Sequence, residues 1–174
     1  MDFTVLQTER LILRALQMED ADAVFSLRSN PEVNKYIGRP EAQNKNEGKQ
    51  FVEKIQQSIT NNAVFYWVIS LKESHDLIGS ICLWNFNNNK TVAETGYELL
   101  PEFHGKGIMT EALKCVLDFA FTRLNIQTIE AFTHKDNLSS TRLLVGQGFV
   151  LDEQRKDDEV EHNQIFTITN PNIK

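Results

Sequence analysis

Apolar residues recur along this chain with two different periods. Between residues 107 and 124 they fall at Leu113, Val116, Leu117, Ala120 and Leu124, one stripe of an amphipathic helix. Between 47 and 60, Phe51, Ile55 and Ile59 repeat every four residues and predict a second helix. The stretches 64–71 and 77–84 are rich in β-branched and aromatic residues and predict a hairpin across the turn at 72–76. After a polar turn at 85–90, residues 92–100 predict a third strand. Further strands are expected over 8–14, 128–133, 149–151 and 160–169, the last two flanking a charged tip at 152–159. Short helices are expected over 20–28, 32–36 and 138–145. Pro31 suits a first helical position, Asn137 an N-cap and Gly148 a left-handed helix end. Gly79, inside a strand, marks a bulge or a close backbone approach. The Asn-rich polar stretch 38–48 reads as a surface connector.

Strands and helices interleave over 174 residues with no repeat or linker, which predicts one α/β (α+β) domain over residues 1–174. Hydrophobic residues make up 41% and charged residues 24%, which excludes a disordered chain. The net charge of −6 argues against nucleic-acid and anionic-membrane partners. It leans instead toward a cationic one, such as an amine or a basic protein terminus. Residues 1–4 carry no basic segment followed by an apolar one, and no apolar run reaches membrane-spanning length. Cys82 and Cys115 read as buried thiols of a reducing compartment, and a cytoplasmic protein is expected. The four histidines are scattered, so no metal site is expected. Oligomeric state has no handle here, and a homodimer stays open.

One stretch carries candidate chemistry. A strand, then Pro101-Glu102-Phe103-His104-Gly105-Lys106-Gly107, then the long helix opening Ile108-Met109-Thr110-Glu111, is a recipe for an anion site. The first helical turn has amides without partners, and the macrodipole adds positive charge there. Glycines let the backbone approach a phosphate closely, with Lys106 and Thr110 adding a charge and a hydroxyl. The spacing is not that of a P-loop, and Thr110 stands where a dinucleotide fingerprint needs glycine. A turn that merely starts a helix is the competing reading.

The context resembles the GNAT N-acetyltransferases, more narrowly their ribosomal-protein (RimJ/RimL-like) branch. Gly105 to Leu113, preceded by Glu94-Thr95-Gly96-Tyr97-Glu98-Leu99, is similar to that family's acetyl-CoA pyrophosphate loop, Q/R-x-x-G-x-G/A. His104 stands in place of Gln/Arg, Gly107 matches, and Met109 stands in place of Gly/Ala. The opening Thr8-Glu9-Arg10-Leu11 to Arg14, with Asp20-Ala21-Asp22, resembles the family's start. Asn137-Leu138-Ser139-Ser140 through Gly148-Phe149 resembles its N-x-x-S-x-x-L-x-x-x-G-F motif. The resemblance implies a GNAT-like fold: a mixed, mostly antiparallel sheet of about six or seven strands flanked by helices. It also implies acetyl-CoA as cosubstrate. Leu99, Leu100, His104 to Thr110, Asn137 and Ser140 are then its binding residues.

The implied reaction moves acetyl to a primary amine, with a protein N-terminal α-amine as favoured acceptor. A polyamine, amino sugar or antibiotic is the alternative, as is a non-catalytic acyl-CoA sensor. An ammonium must lose a proton before it attacks. At pH 7 this costs about 1 kcal/mol for an α-amine and roughly 4–5 kcal/mol for a lysine. Glu94 is the expected base, with a surface cross-strand role as its alternative. Tyr97 and Ser140 are expected acids for the CoA thiolate, with sheet packing and close helix packing as theirs. Backbone amides near Leu99 and Leu100 suit an oxyanion role. Direct attack is expected, since no Ser-His-Asp set is suggested.

Overall fold

The computed structural model describes residues 4–173. One sheet of eight strands organises it, in the order β1-β2-β3-β4-β5-β6-β8-β7. The strands are β1 (Leu6–Gln7), β2 (Leu11–Arg14), β3 (Phe65–Leu71), β4 (Gly79–Trp84), β5 (Val92–Leu99), β6 (Thr128–His134), β7 (Val150–Leu151) and β8 (Asn163–Thr169). The pairings are antiparallel except β5 with β6. The helices are α1 (Ala21–Arg28), α2 (Pro31–Asn34), α3 (Lys45–Thr60), α4 (Ile108–Thr122) and α5 (Leu138–Gly146).

The expected mixed, mostly antiparallel sheet is present, with eight strands rather than six or seven. The added strand, β1, lies just before the stretch 8–14, of which only residues 11–14 are strand. Thr8-Glu9-Arg10 turns instead, with the Thr8 hydroxyl accepting the Leu11 N–H at 2.9 Å, and the short β1 folds back on β2. The closing strand starts at Asn163 rather than 160, because the Asp157 carboxylate captures the Glu159 and Val160 amides in a turn. Helix α3 starts two residues earlier than its pattern, where Asn44 accepts the Glu47 N–H and caps it.

Strand alternation splits the core between two faces. On one face Tyr66 and Val68 of β3 pack with Ala21, Val24 and Leu27 of α1 and Val52 of α3. On the other, Trp67, Ile69, Ile81 and Leu83 pack with Leu113, Val116, Leu117 and Ala120 of α4. Four of the five stripe residues read from the sequence are therefore the buried face of α4. Leu124 lies past its end, partly buried against the same core. The Arg14 guanidinium grips Asp20 with two hydrogen bonds of 2.8 Å each, tying β2 to the start of α1. The family-like opening residues are thus structural clasps.

Gly79 pairs with Ile69 and Leu99 in continuous register, so it is a close approach and not a bulge. A Cβ there would lie 2.4 Å from the Glu98 carbonyl oxygen and 2.8 Å from Leu99 Cδ1. Gly79→Ala is expected to destabilise the fold by about 1–3 kcal/mol, read from urea unfolding midpoints. An unchanged midpoint would show that β5 can move aside.

Candidate active site

Strands β5 and β6 pair only over Val92–Glu94 and Thr128–Glu130. Beyond that they part, and β5 is left without a neighbour on its β6 side. The Leu100 N–H donates to the Ile78 carbonyl at 2.9 Å. By the alternation of an antiparallel ladder, the amides of Thr95, Tyr97 and Leu99 point the other way, into the gap. Of the two residues expected to polarise an acyl carbonyl, Leu99 turns its amide into the gap, and the Leu100 amide is already used.

The gap connects two cavities, one on each face of the sheet. On the α4 face a cavity of about 720 Å³ is floored by the glycine turn. Gly105 and Gly107 have φ of +71° and +72°, a conformation that costs glycine nothing. Gly107 caps α4 without any side-chain cap, and the Glu111 N–H closes the first helical turn onto its carbonyl at 3.1 Å. The amides of Ile108, Met109 and Thr110 precede that bond, and these residues line the cavity. His104 Nε2 lies 2.9 Å from the Leu99 carbonyl oxygen, which ties the turn to β5.

The turn is braced from below. The Glu111 carboxylate accepts from the Thr8 hydroxyl, the Arg10 N–H at 2.9 Å and Arg10 Nε at 2.7 Å. Arg10 Nη1 also donates to the Lys106 carbonyl at 3.0 Å. An acid in the first turn of a helix offsets the positive field of that end for any approaching anion, and Arg10 neutralises it. Burial pushes the Glu111 carboxyl up, but the bonds from Thr8 and Arg10 outweigh it and hold the group below its ordinary value.

The cavity on the α1–α3 face, about 700 Å³, is lined by Arg28, Phe51, Tyr66, Ser80, Cys82 and Gly96, among others. Tyr36, Ile37, Tyr97, Glu98, Asn137 and Ser140 line both cavities, so they form the junction. There the Tyr97 and Ser140 hydroxyls lie 2.7 Å apart, and Asn137 Oδ1 accepts the Ser140 N–H at 3.1 Å. Burial pushes the Tyr97 phenol up to about 12 despite the Ser140 bond, so it keeps its proton at neutral pH. The Glu98 side chain, 8% exposed, is held by Arg39 and by the Ser80 hydroxyl at 3.3 Å. Burial pushes the Cys82 thiol up to about 12, which leaves no thiolate nucleophile there.

This architecture has known counterparts. The family described as acetyltransferase (GNAT) domain matches residues 10–150. The chain belongs to the GNAT acetyltransferases. An N-acetyltransferase of Bacillus subtilis (strain 168), YoaA, is 31% identical over 84% of this chain and 83% of its own. The ribosomal-protein-S5-alanine acetyltransferase of Vibrio fischeri superposes with a TM-score of 0.82 at 22% identity, covering 98% of this chain and 99% of that one. RimL, a ribosomal L7/L12 α-N-protein acetyltransferase solved with coenzyme A, superposes with a TM-score of 0.83 at 16% identity, covering 95% and 98%. GNAT enzymes use acetyl-CoA, and this one is an acetyl-CoA-dependent acetyltransferase.

Most residues singled out in the sequence converge on this GNAT cleft. Tyr97, Leu99, His104, Gly105, Gly107, Ile108, Met109, Thr110, Asn137 and Ser140 line the cavity of the glycine turn. Lys106 and Leu100 line neither cavity. The Lys106 ammonium sits 5.5 Å from the Phe103 ring centroid, and Leu100 packs on the α1–α3 side. Glu94 also lines neither cavity. It accepts from Asn85, and burial, then Glu130, Asp157 and Glu159, outweigh that bond and raise its pKa. Sequence reading missed Glu98 and Arg39. Glu98 shares Glu94's strand parity, but only Ser80 across the sheet and a loop residue 59 positions away mark it out. Gly38 and Arg39, at the start of the stretch read as a surface connector, line the second cavity.

Among the described residues no group of three His, Cys, Asp or Glu side chains is placed to hold a metal ion. No helix there is long and apolar enough to cross a membrane. Cys82 and Cys115 are unpaired and partly buried.

Two expectations follow from the turn. Gly107→Val puts a branched side chain at φ +72° and should weaken acetyl-CoA binding at least tenfold. In a thermal-shift titration, ligand at a hundred times its Kd stabilises by about 2.7 kcal/mol, and the variant should lose about half of this or more at equal concentration. For Glu111 the lowered pKa means the folded state binds fewer protons, so its contribution is present above pH 4.5 and fades as pH falls further. Glu111→Gln should therefore lower the Tm at pH 7 and make less difference at about pH 3. A pH-independent difference would remove the charge from the account.

Proposed function

We propose that this enzyme acetylates a primary amine, with a protein N-terminal α-amine as its favoured acceptor. The observation that carries the reading is the pair of cavities meeting at Tyr97, Glu98, Asn137 and Ser140. One has the glycine turn for the pyrophosphate of acetyl-CoA. The other approaches the same junction from the opposite face and would bring the amine. The S5-alanine and L7/L12 acetyltransferases share this fold, which supports a protein terminus as acceptor.

In this reading the thioester lies along the open side of β5, where the Leu99 amide can bond the acyl oxygen. Glu98 takes the place that the sequence suggested for Glu94. Its carboxylate meets the incoming ammonium and accepts one proton. The nitrogen lone pair attacks the carbonyl carbon, and the C–S bond breaks. The thiolate takes a proton from Tyr97, and the nitrogen's second proton restores the hydroxyl pair through Ser140. The pushed-up Tyr97 pKa fits a donor that stays protonated until the sulfur leaves. Asn137 fixes the position of Ser140 through its N-cap bond.

The test measures thiol release from acetyl-CoA against a panel of peptides, polyamines and amino sugars. N-terminal peptides should be turned over with the highest kcat/KM, and a polyamine or sugar ahead of every peptide would replace the acceptor assignment. Glu98→Gln should lower kcat at pH 7 on the order of a hundredfold, with a smaller deficit at high pH where free amine is abundant. Glu94→Gln should leave the profile close to wild type. The reverse pattern would return the base role to Glu94.

A further inference from the structure

The chain as a whole is acidic, yet the amine-side cavity has the opposite sign. Among the described residues lining it, Arg28, Arg39 and Lys54 are cationic and Glu98 alone is anionic. Arg39 is spent on Glu98 and on Asn34, to which its Nε donates at 2.9 Å. Arg28 is not spent. Its guanidinium lies over the Phe51 ring, 4.0 Å from the centroid, and has no ion-pair or hydrogen-bond partner among the described residues. Burial and the neighbouring Arg39 charge lower its pKa, more than Glu98 compensates. A partly buried guanidinium fixed on an aromatic face, with its planar donors unpaired, is a receptor for a planar anion.

Glu98 and Arg28 thus offer the cavity one acceptor and one donor set, both held by α1, β4 and β5 rather than by a free loop. We propose that Arg28 is a specificity-determining residue that binds a carboxylate of the acceptor, so that the preferred substrate is an α-amine with an acidic group close by. For a protein terminus this means an aspartate or glutamate within the first residues. A polyamine would bring two or more positive charges into a cavity that already has an excess of them. The proposal rests on the reading of this cavity as the amine side.

The experiment compares kcat/KM for peptides that differ only in Asp, Asn or Lys at the second position, with spermidine and the free pair glutamate and glutamine alongside. Wild type should favour the Asp peptide over the Asn peptide about tenfold or more, and the Lys peptide and spermidine should be worst. Arg28→Gln should collapse the Asp/Asn ratio to near one, mainly through KM, and Arg28→Lys should restore part of it. Acetyl-CoA thermal shifts on each variant report folding separately, and the Lys variant carries the test if the Gln variant does not fold. Equal rates on Asp and Asn peptides in wild type, or a preference for Lys or spermidine, overturns the proposal while leaving acceptor acetylation intact. An equal loss on all peptides in both variants overturns it too, since that is a structural effect. Turnover of glutamate over glutamine with no peptide acetylated would keep Arg28 in its role and remove the protein terminus. No turnover of any amine removes both.

Discussion

The whole site depends on two parallel strands letting go of each other. Strands β5 and β6 share a ladder only as far as Glu94 and Glu130, and from there the Thr95, Tyr97 and Leu99 amides of β5 have no strand on that side to bond. Those amides face the cavities and are left for a bound group to take. The same separation joins the two faces of the sheet. A sheet is normally a wall between its faces. Here one face carries α4 and the other α1 and α3, and the gap lets groups from both meet at Tyr97 and Glu98.

The glycine turn depends on that arrangement rather than acting alone. Left-handed glycines and a helix start make an anion site only if the helix axis points into a cavity. That direction is set by β5, which feeds the turn, and by the clasp of Thr8 and Arg10 on Glu111. The clasp solves a local electrostatic conflict, because Glu111 sits in the first turn of α4 where the phosphate charge would fall. Pairing it with Arg10 keeps the helix end attractive to anions while fixing the strand-to-helix geometry.

The charge of the whole chain and that of the cavity lining differ in sign. A net charge of −6 suggested a cationic partner, and the chain's acids do lie near the cleft, at Glu94 and Glu130. They are used by Asn85 and Arg155. The lining that an acceptor would meet is cationic apart from Glu98, because α1 and the segment after α2 bring Arg28 and Arg39 inward. Local sign, and not the total, governs recognition at distances within a cavity.

The sequence by itself determined most of the elements and the glycine turn that opens α4. Helical period and strand alternation depend on nearby residues, so Leu113, Val116, Leu117 and Ala120 named the buried face of α4. A glycine turn before a helix carries its chemistry in adjacent backbone amides. Asn137 and Ser140 were legible for the same reason, being three residues apart at one helix start. Tertiary structure alone decided which acid lines the junction of the two cavities. Glu94 and Glu98 are equivalent along β5, and only the cross-strand register with Ser80 and the arrival of Arg39 separate them. It also decided that Thr8 and Arg10 leave the strand to hold Glu111, and that Arg28 lies over Phe51 beside a cavity, with no side-chain hydrogen bond or ion pair among the described residues. Each of these is a contact between residues far apart in the chain, and local pattern has no term for that distance.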